Sequence, residues 1–155
     1  MSATKPFNPF RSERLVYRAV EDTPEDEAFM CSIQRDVEVQ CGTSYGLLRP
    51  ESKTSSNKFK EHIAEKCILG AIANPPHFAH HRNSEISINI ARGYQGKGYG
   101  AEAIMWSLWY GFQMAGLHRI EIHALSFNIT SIRWYKRLGF KEEGRLREHV
   151  GLNGG

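Results

Sequence analysis

The chain is short of the features that place a protein outside the cell or in a membrane. Its three cysteines, Cys31, Cys41 and Cys67, are odd in number and far apart. They form no C-x-x-C pair, which argues against a disulfide framework or a zinc site and suits a reducing compartment. No apolar run approaches the roughly 20 residues that a helix needs to span a bilayer. Residues 1–18 contain no apolar core of the secretory type. One-signed charge is also scarce: 20 Lys and Arg stand against 17 Asp and Glu, a net +3. That is too little to argue for nucleic acid, although a polyanionic small ligand would be welcome. The expectation is an intracellular protein, cytoplasmic with the nucleus left open, without nucleic-acid or membrane partners.

What is present is a chain of 155 residues with 41% apolar and 24% charged content. This is enough for one domain with a real core. Residues 1–10, with Pro6 and Pro9, read as a flexible arm, and residues 11–155 as a single domain. Residues 14–19 alternate as a first strand. Thr23-Pro24-Glu25 opens a helix running to about Gln34, with threonine at the N-cap, proline at the first position and acids in the first turn. Residues 36–66 are harder to read; Phe59 and Ile63 suggest a helix near 58–66, and residues 67–73 a strand. Asn74-Pro75-Pro76 breaks it.

The pattern sharpens from residue 85. Ile86, Ile88 and Ile90 alternate with Glu85, Ser87 and Asn89, which predicts a strand over 85–90 with one buried face. A glycine-rich turn follows. A helix is then expected from about Gly98 to Ala115, with Ala101, Ile104, Leu108, Phe112 and Ala115 inward and Gly116 at its end. Trp106 and Trp109 flank this stripe as packing residues. Residues 119–125 read as a strand. Asn128 caps a second helix with a stripe of Ile132, Tyr135 and Leu138, closed by Gly139 and Phe140. Residues 143–150 are a last strand candidate. This order is an α/β arrangement in which a ligand sits at the carboxyl end of the strand before the glycine turn.

Gln95-Gly96-Lys97-Gly98-Tyr99-Gly100 links that strand to the long helix. Glycine amides can approach a ligand closely, and a helix start adds unpaired N–H groups and partial positive charge. The combination is a phosphate cradle, with Arg92 and Lys97 available at its rim. Three readings of it stand. It is a tight turn; or a dinucleotide site, since Gly96-x-Gly98-x-x-Ala101 fits that fingerprint in letters; or a diphosphate loop of another kind. The dinucleotide reading wants an acid at the end of the next strand, but Glu121 lies in mid-strand. No Gly-Lys-Ser/Thr is present for a P-loop.

Gln95-x-x-Gly98-x-Gly100 resembles the diphosphate motif of the GNAT N-acetyltransferase superfamily. Residues 96–103 (GKGYGAEA), His118-Arg119-Ile120-Glu121 and the run from Asn128 to Gly144 resemble its ribosomal-protein N-terminal acetyltransferase branch. Ser12-Glu13-Arg14-Leu15 resembles that branch's opening strand. The resemblance implies the GNAT acyl-CoA N-acyltransferase fold, a mixed and mainly antiparallel sheet splayed at its centre with helices on both faces. It implies an acetyl-CoA-dependent enzyme in which a primary amine, on a protein N-terminus or a small molecule, attacks the thioester directly, with no metal. The amides of Gln95, Gly96, Lys97, Gly98, Tyr99 and Gly100 would hold the diphosphate. The backbone of Ile88 and Ile90 would pair with the acyl-pantetheine arm.

Glu85 would be the general base or the anchor of a cationic amine, against a plain solvated carboxylate. His123, one strand over, is the rival base. Asn128 is an N-cap that would also touch pantetheine. Tyr135 would protonate the leaving thiolate, against a core aromatic. His77, His80 and His81 form no trusted metal pattern and read as an exposed loop. The family's seventh strand has no counterpart after residues 151–155, so the expectation is a sheet lacking its last strand and prone to dimerise through the exposed C-terminal strand. A non-catalytic acyl-CoA-binding module is the alternative.

Overall fold

The structure, a computed structural model, describes residues 7–43, 50–69, 72–73 and 80–147. The N-terminal third is helical. Helix α1 (Pro24–Arg35) starts as expected: Thr23 Oγ1 accepts from the Asp26 amide at 3.2 Å, and proline stands in the first turn. Asp36 ends α1 and opens α2 (Val37–Thr43), its carboxylate accepting from the amides of Glu38 and Val39. Helix α3 (Lys53–Lys66) begins five residues before the expected start. Ser52 and Ser55 cap one another reciprocally at 3.1 Å, so the polar run is a helix start and not a loop.

The expected first strand over 14–19 is absent. Residues 10–17 fold back on themselves instead, with Ser12 N–H on Leu15 C=O, Tyr17 N–H on Phe10 C=O and one bridge from Arg11 to Val16. Alternation alone supplied no partner strand.

The sheet runs β1 (Cys67–Leu69), β2 (Ile72–Ala73), β3 (Asn83–Ile86), β4 (Arg119–Ile122) in that spatial order. The first three pair antiparallel, and β3 pairs parallel with β4 from Asn83–Arg119 to Ile86–Ile122. The single strand expected over 67–73 is therefore two. The strand expected over 85–90 stops at Ile86, and that expected over 119–125 stops at Ile122. Both chains leave the ladder at the same register, which opens a wedge between them.

Helix α4 (Tyr99–Trp109) continues as one π-helical turn (Tyr110–Met114), and Gly116, at φ +64°, ends it. The inward stripe is Gly100, Ile104, Ser107 and Gly111, with Leu108 packed beside it. Phe112 and Ala115 are exposed, because the π turn rotates the last residues off the expected face. Trp106 is buried, stacks on Tyr17 at 3.5 Å between ring centres and donates from Nε1 to Pro9 C=O.

Helix α5 (Ile129–Arg137) has the expected cap, Asn128 Oδ1 accepting from Ser131 N–H. Gly139 is left-handed, and Phe140 N–H reaches back to Tyr135 C=O. Ile86, Ile104 and Leu117 form the core, with Ile88, Ile120, Ile122, Trp134, Tyr135 and Leu138 packed against it. Residues 143–147 are irregular and exposed, not strand. Residues 148–155, the expected hairpin turn and most of the arm over 1–10 lie outside the described residues, as does His77.

Candidate acyl-CoA site

The wedge past the β3–β4 ladder is a cleft of about 650 Å³, counting its open mouth. Its walls come from both diverging chains and from α5: Ile88 and Ile90 on one side, Ala124 and Leu125 on the other, with Asn128, Ser131, Trp134 and Tyr135. Glu85 and His123 also line it. The cleft exists because no cross-strand partner holds residues 87–90 once β4 turns away.

The glycine turn meets this cleft through packing. A Cβ on Gly100 would stand 2.6 Å from Cη2 of Trp134 and 3.5 Å from Cγ1 of Ile90. Gly100 is thus required by the close approach of α5 to α4. Gly96 (φ +71°) and Gly98 (φ +80°) are required by left-handed backbone. Gly98 is the N-cap of α4 and offers no side-chain cap.

Among the described residues, no hydrogen bond takes up the amides of Gly96, Lys97, Gly98, Tyr99 or Gly100. Residues 96–98 are exposed. A run of unpaired amides at the positive end of an 11-residue helix fits a diphosphate. Gln95 departs from the expected cradle. Its amide is closed onto Arg92 C=O at 3.2 Å, and its side chain donates to Ile90 C=O at 2.9 Å. Gln95 therefore ties the loop to the cleft wall, and its own N–H is spent.

Rim charge also differs from expectation. Arg92 is paired with Asp36 at 2.9 Å and Glu38 at 3.1 Å, which fastens the turn (Arg92–Tyr94) to α2. Lys97 Nζ turns back to Gly93 C=O at 2.9 Å. Arg14, expected only as part of an opening strand, reaches the loop from 83 residues away and donates to Lys97 C=O at 2.9 Å. The Arg-Leu pair near the start of the domain was the signal that could have found it.

Glu85 and Glu121 are register partners on adjacent strands. His123 bridges them, its Nδ1 3.2 Å from a Glu85 oxygen and its Nε2 3.9 Å from a Glu121 oxygen. The two candidate bases, Glu85 and His123, are thus one pair. Tyr135 lies across the cleft, half-buried, and burial raises its phenol above the ordinary value near 10, with a Ser131 hydrogen bond acting the other way. Asn128 donates to Gly42 C=O at 3.3 Å besides capping α5, so it also joins α2 to the cleft. His80 and His81 have ring centres 3.9 Å apart, and no group of three or more metal-ligating side chains occurs among the described residues. No helix among them is long and apolar enough to cross a membrane.

Residues 14–141 match the family described as acetyltransferase (GNAT) domain. The chain is 33% identical over 100 residues to the spermidine N(1)-acetyltransferase of Vibrio cholerae, covering 64% of this chain and 58% of that protein. It is 36% identical over 109 residues to the uncharacterised N-acetyltransferase YnaD of Bacillus subtilis, covering 64% of each. The chain thus spans about six-tenths of the length of these curated relatives. The crystal structure of the Vibrio cholerae spermidine N-acetyltransferase in complex with CoA and spermine superposes with a TM-score of 0.71 at 26% identity, over 88% of this chain and 86% of that one. The matched span and the shared fold agree: the chain belongs to the GNAT acetyltransferase family.

Proposed function

We propose that residues 11–155 act as one catalytic domain that transfers the acetyl group of acetyl-CoA to a primary amine in a ternary complex. The observation that carries this reading is the run of free amides from Gly96 to Gly100, joined to the wedge through Gly100, Ile90 and Trp134. Acetyl-CoA supplies the activated thioester. Its diphosphate is assigned to the amides of Gly96 to Gly100. Its pantetheine arm is assigned to the open backbone of Ile88 and Ile90 and to Asn128, along the wedge, in the way an added strand would lie.

Glu85 with His123 forms the polar mouth of the cleft. That pair accepts the proton of the incoming ammonium and orients the amine. Tyr135 is the acid. A phenol whose pKa is raised stays protonated at neutral pH and can donate to the leaving thiolate. Tyr135→Phe is expected to lower kcat by roughly 10²–10⁴-fold while acetyl-CoA binding stays within a few-fold. An unchanged kcat removes the role.

The relatives are spermidine and uncharacterised N-acetyltransferases. They favour a small amine over the ribosomal-protein N-terminus suggested by the branch resemblance, and the Glu85 carboxylate lining the cleft suits a cationic acceptor. Thiol release with spermidine, other diamines and N-terminal peptides ranks these acceptors. Acetyl-CoA binding without thiol release from any of them would support the non-catalytic binding module instead.

A further inference from the structure

The segment around Ser12 and Arg14 has no part in the chemistry above, yet it converges on one carboxylate of α4. Glu102, in the first turn of α4, receives three donors from it. Ser12 Oγ donates to Oε1 at 2.6 Å, Arg14 N–H donates to Oε1 at 2.6 Å, and Arg14 Nε donates to Oε2 at 2.7 Å as an ion pair. Arg14 then continues past Glu102 to the glycine loop, donating from Nη1 to Lys97 C=O at 2.9 Å. Its guanidinium lies over the Tyr99 ring at 4.9 Å. Its Nη2 is 3.3 Å from where a Cβ on Gly98 would stand.

This geometry faces the loop with a choice. A peptide unit between Lys97 and Gly98 can point its carbonyl or its amide toward the ligand side. Arg14 holds the Lys97 carbonyl, so the following amide, that of Gly98, is turned the opposite way across the same planar unit. Glycine at 98 permits the left-handed φ that this orientation needs and leaves room for Nη2. Glu102 fixes the guanidinium, and Ser12 fixes Glu102. The hydrogen bonds are charge-assisted, which gives such a brace directional strength that an exposed ion pair alone lacks.

We propose that Arg14, held by Glu102 and Ser12, is the positioning residue that orients the 96–100 amides for the cofactor diphosphate. It acts through the loop and not on the reacting atoms. The proposal rests on the reading of this loop as the diphosphate cradle.

The test separates the brace from that reading. In ligand-free protein, hydrogen exchange is followed at the Tyr94, Gln95 and Glu102 amides, which close the loop onto Ala91, Arg92 and Gly98. Arg14→Gln is expected to speed exchange there by about tenfold or more, with the amides of β4 unchanged. With acetyl-CoA, the same variant is expected to raise KM for acetyl-CoA by about tenfold or more while kcat at saturation and KM for the amine change less than about threefold. The double variant Arg14→Glu with Glu102→Arg restores opposite charges but leaves position 14 without a donor for Lys97 C=O. It is expected to regain thermal stability over Arg14→Glu while KM for acetyl-CoA stays raised. Native exchange in folded Arg14→Gln, or a swap that recovers acetyl-CoA affinity along with stability, overturns the proposal. Wild-type protein that binds no acetyl-CoA overturns the cradle reading, and exchange alone then judges the brace.

Discussion

Residues 7–43 and residues 83–140 solve the folding problem in different ways. In the second region each element is bounded by its own residues: Gly98 before α4, Gly116 after the π turn, Asn128 before α5, Gly139 after it. In the first region the segment before α1 is shaped from a distance. Trp106 stacks on Tyr17 and binds Pro9 C=O, and Glu102 gathers Ser12 and Arg14. Local signals make a region readable, whereas long-range contacts place it only once the rest is folded.

The sharpest way to break the contrast is through the shared core. Ile104 is fully buried in the core with Ile86 and Leu117, so Ile104→Ala should cost about 2–5 kcal/mol and unfold both regions together. Denaturant midpoints read by tryptophan fluorescence and by far-UV signal should coincide. A separate, earlier loss of the helical third would show that α1 to α3 are an independent unit.

A smaller effect is expected at Gly100. The Cβ of Gly100→Ala would meet the rigid Trp134 ring, an overpacking cost of about 1–3 kcal/mol. The shift of α5 that relieves it would also move a wall of the cleft. Melting temperature and acetyl-CoA affinity should fall together; a loss of neither would remove the argument that this glycine is there for packing.

The caps compare the two regions directly. Asn128→Ala and Thr23→Ala should each cost about 0.5–2 kcal/mol. Asn128 should be the costlier, because it also holds Gly42 C=O. Equal losses in thermal melts would mean that the link to α2 contributes nothing.

Acid sharpens the contrast at the lowest cost. The Ser12 hydroxyl, then the Arg14 amide and guanidinium, hold the Glu102 carboxyl down to about 2 from an ordinary 4.5. Its stabilising contribution is fully present above 4.5 and is lost as pH falls toward 2. The Arg18 guanidinium holds Asp26 well below its ordinary 3.8, with the same sign. Glu102→Gln should therefore melt below wild type at pH 7, and the gap should close between pH 4.5 and 2. A gap that is constant across that range would show that Glu102 does not act as a carboxylate.

Much of the candidate site was legible because its turns and caps are set locally. The glycines of the loop, Asn128 and Tyr135 stand where their spacing put them. The strand ends were not. Alternation runs unbroken to Ile90, but a ladder lasts only while its partner stays beside it, and β4 leaves at Ile122. Gln95 departs from the expected cradle for the same reason, since its amide and side chain are claimed by neighbours that a linear pattern does not show.

The amino-acid order by itself determined the left-handed turns, the capped helices and the exposed amide loop, because each depends on side chains or missing side chains within a few residues. Only the tertiary structure decided where β3 and β4 part, that Glu85, His123 and Tyr135 face one cleft, and that Arg14 reaches Lys97 across 83 positions. Those outcomes depend on which distant surfaces bury one another, and burial is a property of the folded whole.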